Sequence, residues 1–254
     1  MTFEELLWQS FGDKQSSNDA VVVCRSNKRA NMFNQAIRSR VLQEEGELSA
    51  GEKLMVVKNN YFWVDNRQTT DNNQQSSQNS KILSFSDSQI PKSSFIANGD
   101  MIEVMKINKI EEMYGFHFAD VEIKMLDYES QPCLSVKILM ETLHSDAAAL
   151  SPEESKRLYQ AVEEDYMDIP RTADRRKMMK NNPYFNALQV KYGYALTCHK
   201  TQGGQWNNVF VEAPYLPEET SLELGDMRWL YTALTRASDK IYLVNFKDEW
   251  FIEN

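Results

Sequence analysis

Cysteine is scarce, with Cys24, Cys133 and Cys198 the only three in 254 residues. They are scattered and odd in number, which suits neither a disulfide framework nor a zinc spacing, so a reducing cytoplasm is the expected compartment. His117, His144 and His199 are the only histidines and show no ligand spacing, which argues against a metal centre. No apolar run is long enough to span a bilayer, so no membrane partner is expected. The opening residues, Thr2-Phe-Glu-Glu-Leu-Leu-Trp8, lack the basic start and long apolar core of a signal peptide. Nowhere does a G-x-x-x-x-G-K-[ST] phosphate loop occur, nor an Asp-Glu pair ending a strand to hold magnesium. Alone, such a chain should not hydrolyse ATP.

What is present is ordinary for a soluble globular protein: 42% hydrophobic and 26% charged residues. The length suits one large domain, or one domain carrying a smaller insertion. A net charge of −9 argues against coating nucleic acid through bulk electrostatics. It leaves room for a local groove, because phosphate contacts need a few placed donors.

Taken in order, residues 2–11 place Phe3, Leu6, Leu7 and Phe11 on one helical face. Asp19-Ala-Val-Val-Val-Cys24 is an apolar run of strand length, buried on both faces. A helix follows from Arg25 to Arg38, with Ala30, Phe33, Asn34 and Ile37 near the helical period. Asn66 to Ser80 holds no aliphatic or aromatic residue and reads as a mobile loop, 66–80. From 101 to 143 short strands succeed one another without helices, as in a small antiparallel sheet or barrel. Ser151-Pro-Glu-Glu opens a helix with a capping box, and Leu158, Ala161, Val162 and Tyr166 supply its buried stripe.

Arg171, Arg175, Arg176, Lys177 and Lys180 form the densest positive run in the chain. It reads either as a solvated helix face or as a lining for a DNA backbone. Tyr61, Phe62 and Trp63 suit base stacking, or filling of a core or hairpin.

The chemistry concentrates in Tyr194-Ala-Leu-Thr-Cys-His-Lys-Thr-Gln-Gly-Gly-Gln-Trp206 and Met227-Arg-Trp-Leu-Tyr-Thr-Ala-Leu-Thr-Arg-Ala237. The first reads as a strand, a polar glycine turn and a strand from Asn208 to Val211. The second reads as a helix with Asp226 as N-cap and an apolar stripe of Leu230, Ala233, Leu234 and Ala237, then a strand from Lys240 to Val244. Strands alternating with helices indicate a parallel sheet, whose ligands sit beyond the carboxyl ends of the strands.

These two segments resemble motifs V and VI of superfamily 1 helicases, nearest the RecD-like branch, with consensus L-T-x-H-K-x-Q-G and L-Y-T-A-x-T-R-A. Arg25-Ser-Asn after its strand is similar to motif IV. Gly51 to Tyr61 and Asn98 to Val104 resemble a further RecD-like stretch, with Glu52 and Glu103 departing from its pattern. The resemblance implies an α/β, RecA-like parallel sheet, the P-loop NTPase fold without its P-loop, carrying an inserted SH3-like β-barrel. The motor domain would run over 1–97 and 144–254, and the inserted subdomain over 98–143.

The same resemblance implies the roles. Arg236 would be an arginine finger to the γ-phosphate, with Arg25 a second, both on one edge of the sheet. Gln202, Gly203, Gln205 and Arg228 would serve the nucleotide, Gln205 standing where many relatives have a glutamate. Thr197, His199 and Lys200 would hold single-stranded DNA. ATP with magnesium would be bound mainly by an N-terminal RecA-like domain, the partner within a longer helicase. The rival expectations are a non-catalytic DNA- or protein-binding module that kept the fold, and a motor fused to a nuclease or relaxase.

Overall fold

The computed structural model describes residues 2–12, 19–64, 95–127, 133–214, 223–247 and 250. The loop expected at 66–80 lies outside them. Two compact units emerge, one of Met1–Leu54, Leu143–Ala148 and Lys191–Asn254, the other of Met55–Thr142 and Ala149–Val190.

The first unit is built on four parallel strands in the order β7-β1-β8-β9. They are β1 (Ala20–Cys24), β7 (Ala195–Thr197), β8 (Trp206–Glu212) and β9 (Ala237–Val244). β1 has no exposed residue, as its unbroken apolar run requires when both faces are covered. Register is set by Val22 opposite Ala195 and Phe210, and by Val209 opposite Ile241. Helix α1 (Phe3–Phe11) starts with Thr2 in a capping box with Glu5. It packs Phe3 and Phe11 against Phe210, which stacks on Tyr242 at 4.5 Å.

Helix α2 (Asn27–Ala36) is capped by Ser26 and runs on into a π-turn, Ile37–Val41. Asn34, on its buried face, donates to the Ala195 carbonyl at 2.9 Å and accepts from the Ala195 amide at 2.7 Å. Behind it Arg38, almost wholly buried, pairs with Glu52, which is fully buried. Arg38 also lies 4.3 Å over the Tyr192 ring. Glu52, a departure from the RecD-like pattern, is thus matched by a partner of its own.

The second unit centres on a closed barrel, in the order β2-β3-β4-β5-β6. Its strands are β2 (Lys53–Val56), β3 (Met101–Met113), β4 (Phe116–Met125), β5 (Leu134–Leu139) and β6 (Leu188–Tyr192). Closure removes exposed edges. β3 and β4 join through Tyr114 and Gly115, both at positive φ (57° and 70°), the backbone of a two-residue hairpin turn.

The barrel is not wholly antiparallel, because β5 pairs β6 in parallel. It also draws in more chain than 98–143: without β2 and β6 the sheet could not close. A short helix α3 (Glu141–His144) follows β5. Helices α4 (Pro152–Glu164) and α5 (Thr172–Met179) then cover Phe116, Phe118 and Leu139 with Leu158, Val162 and Met179.

Helix α6 (Leu224–Leu234) completes the first unit. Its N-cap is Glu223, not Asp226; Asp226 is the third helical residue and closes a capping box with Glu223. The helix stops at Leu234, so Ala237 opens β9 and does not extend the helical stripe.

Candidate functional site

The carboxyl ends of β1 and β7 lie side by side, with Cys24 opposite Thr197. Arg25 leaves the first. After the second the chain folds into a tight turn, the Lys200 amide donating to the Thr197 carbonyl at 2.8 Å and the Thr201 hydroxyl to the Cys198 carbonyl at 2.8 Å. That turn and the start of α6 enclose a cavity of about 370 Å³ lined by Arg25, Cys198, His199, Gln202, Gly225, Arg228, Trp229 and Thr232.

Its polar wall is cationic on balance. Arg25 donates to Asp226, and this pairing, helped by the Glu223 amide, holds the Asp226 carboxyl below its usual range. Both carboxylate oxygens are thereby occupied, and Arg25 stays half-exposed at the rim. Arg228 is exposed and makes no ion pair among the described residues. Guanidinium, imidazole, carboxamide and hydroxyl groups suit phosphate and sugar oxygens, and the Trp229 indole offers a flat face.

Thr197 and Lys200 stand beside this cavity without lining it. Burial lowers the ammonium pKa of Lys200. Burial likewise brings Lys191 down to about 8, the Lys200 charge adding to the effect and Asp146 opposing it.

Arg236 does not line the cavity, though it bonds Thr232, which does. It sits where α6 gives way to β9, and its carbonyl accepts from the Trp206 amide at 3.0 Å. Its guanidinium donates to the Thr232 carbonyl at 3.0 Å, the Gly204 carbonyl at 3.3 Å and the Thr235 hydroxyl at 3.1 Å. It therefore closes the C-terminal end of α6 and ties it to the glycine turn.

The structure does not bring Arg25 and Arg236 together. Arg25 reaches Asp226 near the start of α6, and Arg236 caps its end, roughly 15 Å away at 1.5 Å per residue. Along the parallel strands their backbones stand roughly 25 Å apart at ~3.3 Å per residue. α6 runs antiparallel to its strands, so one arginine falls at the carboxyl edge and the other at the amino edge. Thr232, whose carbonyl Arg236 holds, lines the same cavity as Arg25, so the helix joins the two ends.

The other expected nucleotide residues divide the same way. Gln202 and Arg228 join Arg25 and His199 in the carboxyl-edge cavity, while exposed Gln205 is next to Gly204 and hence to Arg236. Gly203 has φ +90°, a left-handed conformation that disfavours any side chain. At Gly204 an added Cβ would lie 2.4 Å from the Trp206 ring. These two glycines let the chain pass between the edges.

Sequence reasoning missed Trp229, and it missed Asp226 as the partner of Arg25. The two paired residues are 201 positions apart, and no local pattern couples them. Among the described residues no His/Cys/Asp/Glu group could hold a metal ion, and no helix is long and apolar enough to cross a membrane.

These features define an α/β protein with a parallel sheet, a separate closed barrel and a cationic cavity at the carboxyl ends of the strands. Within it, residues 192–244 match the family model described as UvrD-like helicase C-terminal domain. That segment holds β7, the glycine turn, β8, α6 and β9. Among solved structures the chain is similar to Pif1 helicase from Candida albicans, at 12% identity and a TM-score of 0.41, covering 90% of this chain and 45% of that one. It is also similar to Pif1 helicase from Bacteroides in complex with ADP-AlF3 and ssDNA, at 11% identity and a TM-score of 0.40, covering 100% of this chain and 48% of that one. The chain thus spans less than half the length of either. No curated protein matches it.

Proposed function

We propose that this chain is the C-terminal motor half of a superfamily 1, RecD-like, ATP-dependent DNA helicase. Single-stranded DNA is taken at the carboxyl ends of β1 and β7, by His199 and Arg228 with Arg25, Gln202, Thr197 and Lys200 around them. ATP with magnesium, presented by an N-terminal RecA-like domain, is met at the amino edge by Arg236, with Gln205 at its ribose. Arg25, Gln202 and Arg228 move in this reading from the nucleotide to the DNA side.

One observation carries the proposal. The segment matching the UvrD-like helicase C-terminal family supplies seven of the eight residues that line the cationic cavity, from Cys198 through Thr232, all but Arg25. Arg236, which that segment also supplies, is held at the far end of the same helix.

The test is anisotropy of a fluorescein-labelled oligo-dT titrated with the chain at several salt concentrations. Arg228→Gln is expected to weaken binding and to flatten the log–log salt slope by about 0.7, the single-strand value for one lost phosphate contact. His199→Ala should weaken binding with a smaller change of slope. Arg236→Gln should leave affinity unchanged, its place being at the nucleotide. Equal binding by all these variants and the parent would defeat the assignment of edges.

A further inference from the structure

Helix α5 and the turn at Tyr61 adjoin one another within the barrel unit, and neither contributes to the cavity above. Asn186 joins them. Its carbonyl accepts from the Asn60 side chain at 2.8 Å and from the Trp63 indole at 2.9 Å, while its side-chain amide donates to the Lys180 carbonyl at 2.8 Å. The C-terminal end of α5 is thereby fastened to the aromatic turn.

On the turn, Tyr61 is 56% exposed, and its ring lies 4.8 Å from that of Phe95 at an interplanar angle of 30°. That tilted contact steadies the ring and leaves more than half of Tyr61 in solvent. Lys58 and Asn59 just before it are exposed as well, as is Asn98, whose amide donates to the Asn59 side chain at 2.7 Å.

On the helix, Arg176, Lys177 and Lys180 fall within one arc of about 100°, at 100° per residue. All three are exposed, as is Arg171, and none forms an ion pair among the described residues. The helix dipole favours cations in the last turn, but each such placement contributes only a few tenths of a kcal/mol to about 1 kcal/mol. It accounts for neither their convergence on one arc nor the exposed Tyr61 ring on the turn that Asn186 fastens to the helix end. The chain as a whole carries a charge of −9, against which this cationic patch stands out. Cations along a surface with an adjoining aromatic platform form the arrangement that binds single strands with little sequence preference.

We propose that the barrel unit carries a second single-stranded nucleic acid contact, in which Tyr61 stacks on a base and Arg176, Lys177 and Lys180 hold the flanking phosphates. It rests on the single-stranded DNA reading given above and extends it to residues outside the matched segment.

Two variants test it, in the full chain against labelled oligo-dT: Tyr61→Leu, and the triple change Arg176→Gln, Lys177→Gln, Lys180→Gln. All four positions are exposed, and thermal melting checks that each variant keeps its fold. Tyr61→Leu is expected to weaken binding roughly fivefold to a hundredfold, the range measured for loss of one base–aromatic stack, while Tyr61→Phe stays within about twofold. The triple change should flatten the salt slope by about 2, at ~0.7 for each phosphate. With 5-iodouracil in the oligonucleotide, photocrosslinking should label the peptide containing Tyr61.

If both variants bind like the parent while Arg228→Gln still binds weakly, the barrel contact is refuted and the cavity reading stands. If the parent chain fails to bind oligo-dT, both fall together.

Discussion

Asn34→Ala is the most informative single change in the sheet unit, because its cost follows from counting partners. Ala195 opens β7, one of the two edge strands of the described sheet, and is 1% exposed. On its inner side the Tyr194 carbonyl accepts from Val22 at 2.9 Å; the Ala195 amide and carbonyl face away from β1. Asn34 satisfies both, at 2.7 and 2.9 Å, standing in for a neighbouring strand. Truncation leaves a buried N–H and a buried C=O without partners, each costing about 1–3 kcal/mol. The expected loss is about 3–4 kcal/mol, toward the middle of the summed range, because Asn34 is only 2% exposed and water has little access. At ~2–4 °C per kcal/mol for a chain of this size, the transition of this unit should fall by about 6–16 °C. Chemical denaturation followed by far-UV circular dichroism gives the free energy. Hydrogen exchange gives the location: the amide of Ala195 should lose protection while those of β4 in the barrel keep theirs. Asn34→Asp should be no milder, since a carboxylate would meet the Ala195 carbonyl. A loss under about 1 kcal/mol, or an Ala195 amide that stays slow, would refute the claim that this side chain anchors the strand.

Glu52→Gln should be at least as damaging. It strips the buried Arg38 of its only ion-pair partner among the described residues, and breaking such a pair typically costs about 3–5 kcal/mol. Burial raises the Glu52 carboxyl pKa even with Arg38 pulling it back, so the pair itself is expensive. Replacing both partners, Arg38→Met with Glu52→Leu, should therefore recover most of the loss in the same denaturation assay. Lys191 carries a pH signature. Its folded pKa of about 8 lies below the ordinary 10.5, so the unfolded chain binds more protons between those values and stability rises with pH across that window. Lys191→Met should flatten the rise and raise the melting temperature at pH 7. Melting curves of the two proteins from pH 7 to 10.5 that stay parallel would show that Lys191 is not the titrating group.

Elements whose character is local were legible in the sequence. The Ala20–Cys24 run, the Ser151 capping box and the alternation over 116–125 each carry their own signal in a few residues, and each element formed where its pattern lay. Boundaries set by tertiary contacts were not legible. Asp226 has the chemistry of an N-cap, yet Glu223 took the position, leaving both oxygens of Asp226 for the Glu223 amide and for Arg25. Leu234 ends α6 because Arg236 turns back to cap the Thr232 carbonyl, a contact that an apolar stripe does not encode. β2 and β6 are four and five residues long, and only pairing across a long span of chain reveals that they close a barrel.

The separation of the two arginines follows from topology alone. In a parallel sheet every helix must carry the chain back from the carboxyl edge to the amino edge before the next strand begins. A residue just after a strand and a residue just before one therefore lie at opposite edges, whatever motif each belongs to. Arg25 follows β1 and Arg236 precedes β9, so their backbones stand at opposite edges once β1 and β9 run parallel to β8 between them. The same rule assigns Gln205, which precedes β8, to the edge of Arg236, and His199, which follows β7, to the edge of Arg25. If each edge holds a different ligand, coupling between them must pass through what spans the sheet, namely the glycine turn and α6. Both touch both edges: the turn by Cys198 at one end and Gly204 at the other, the helix by Asp226 and by the Thr232 carbonyl.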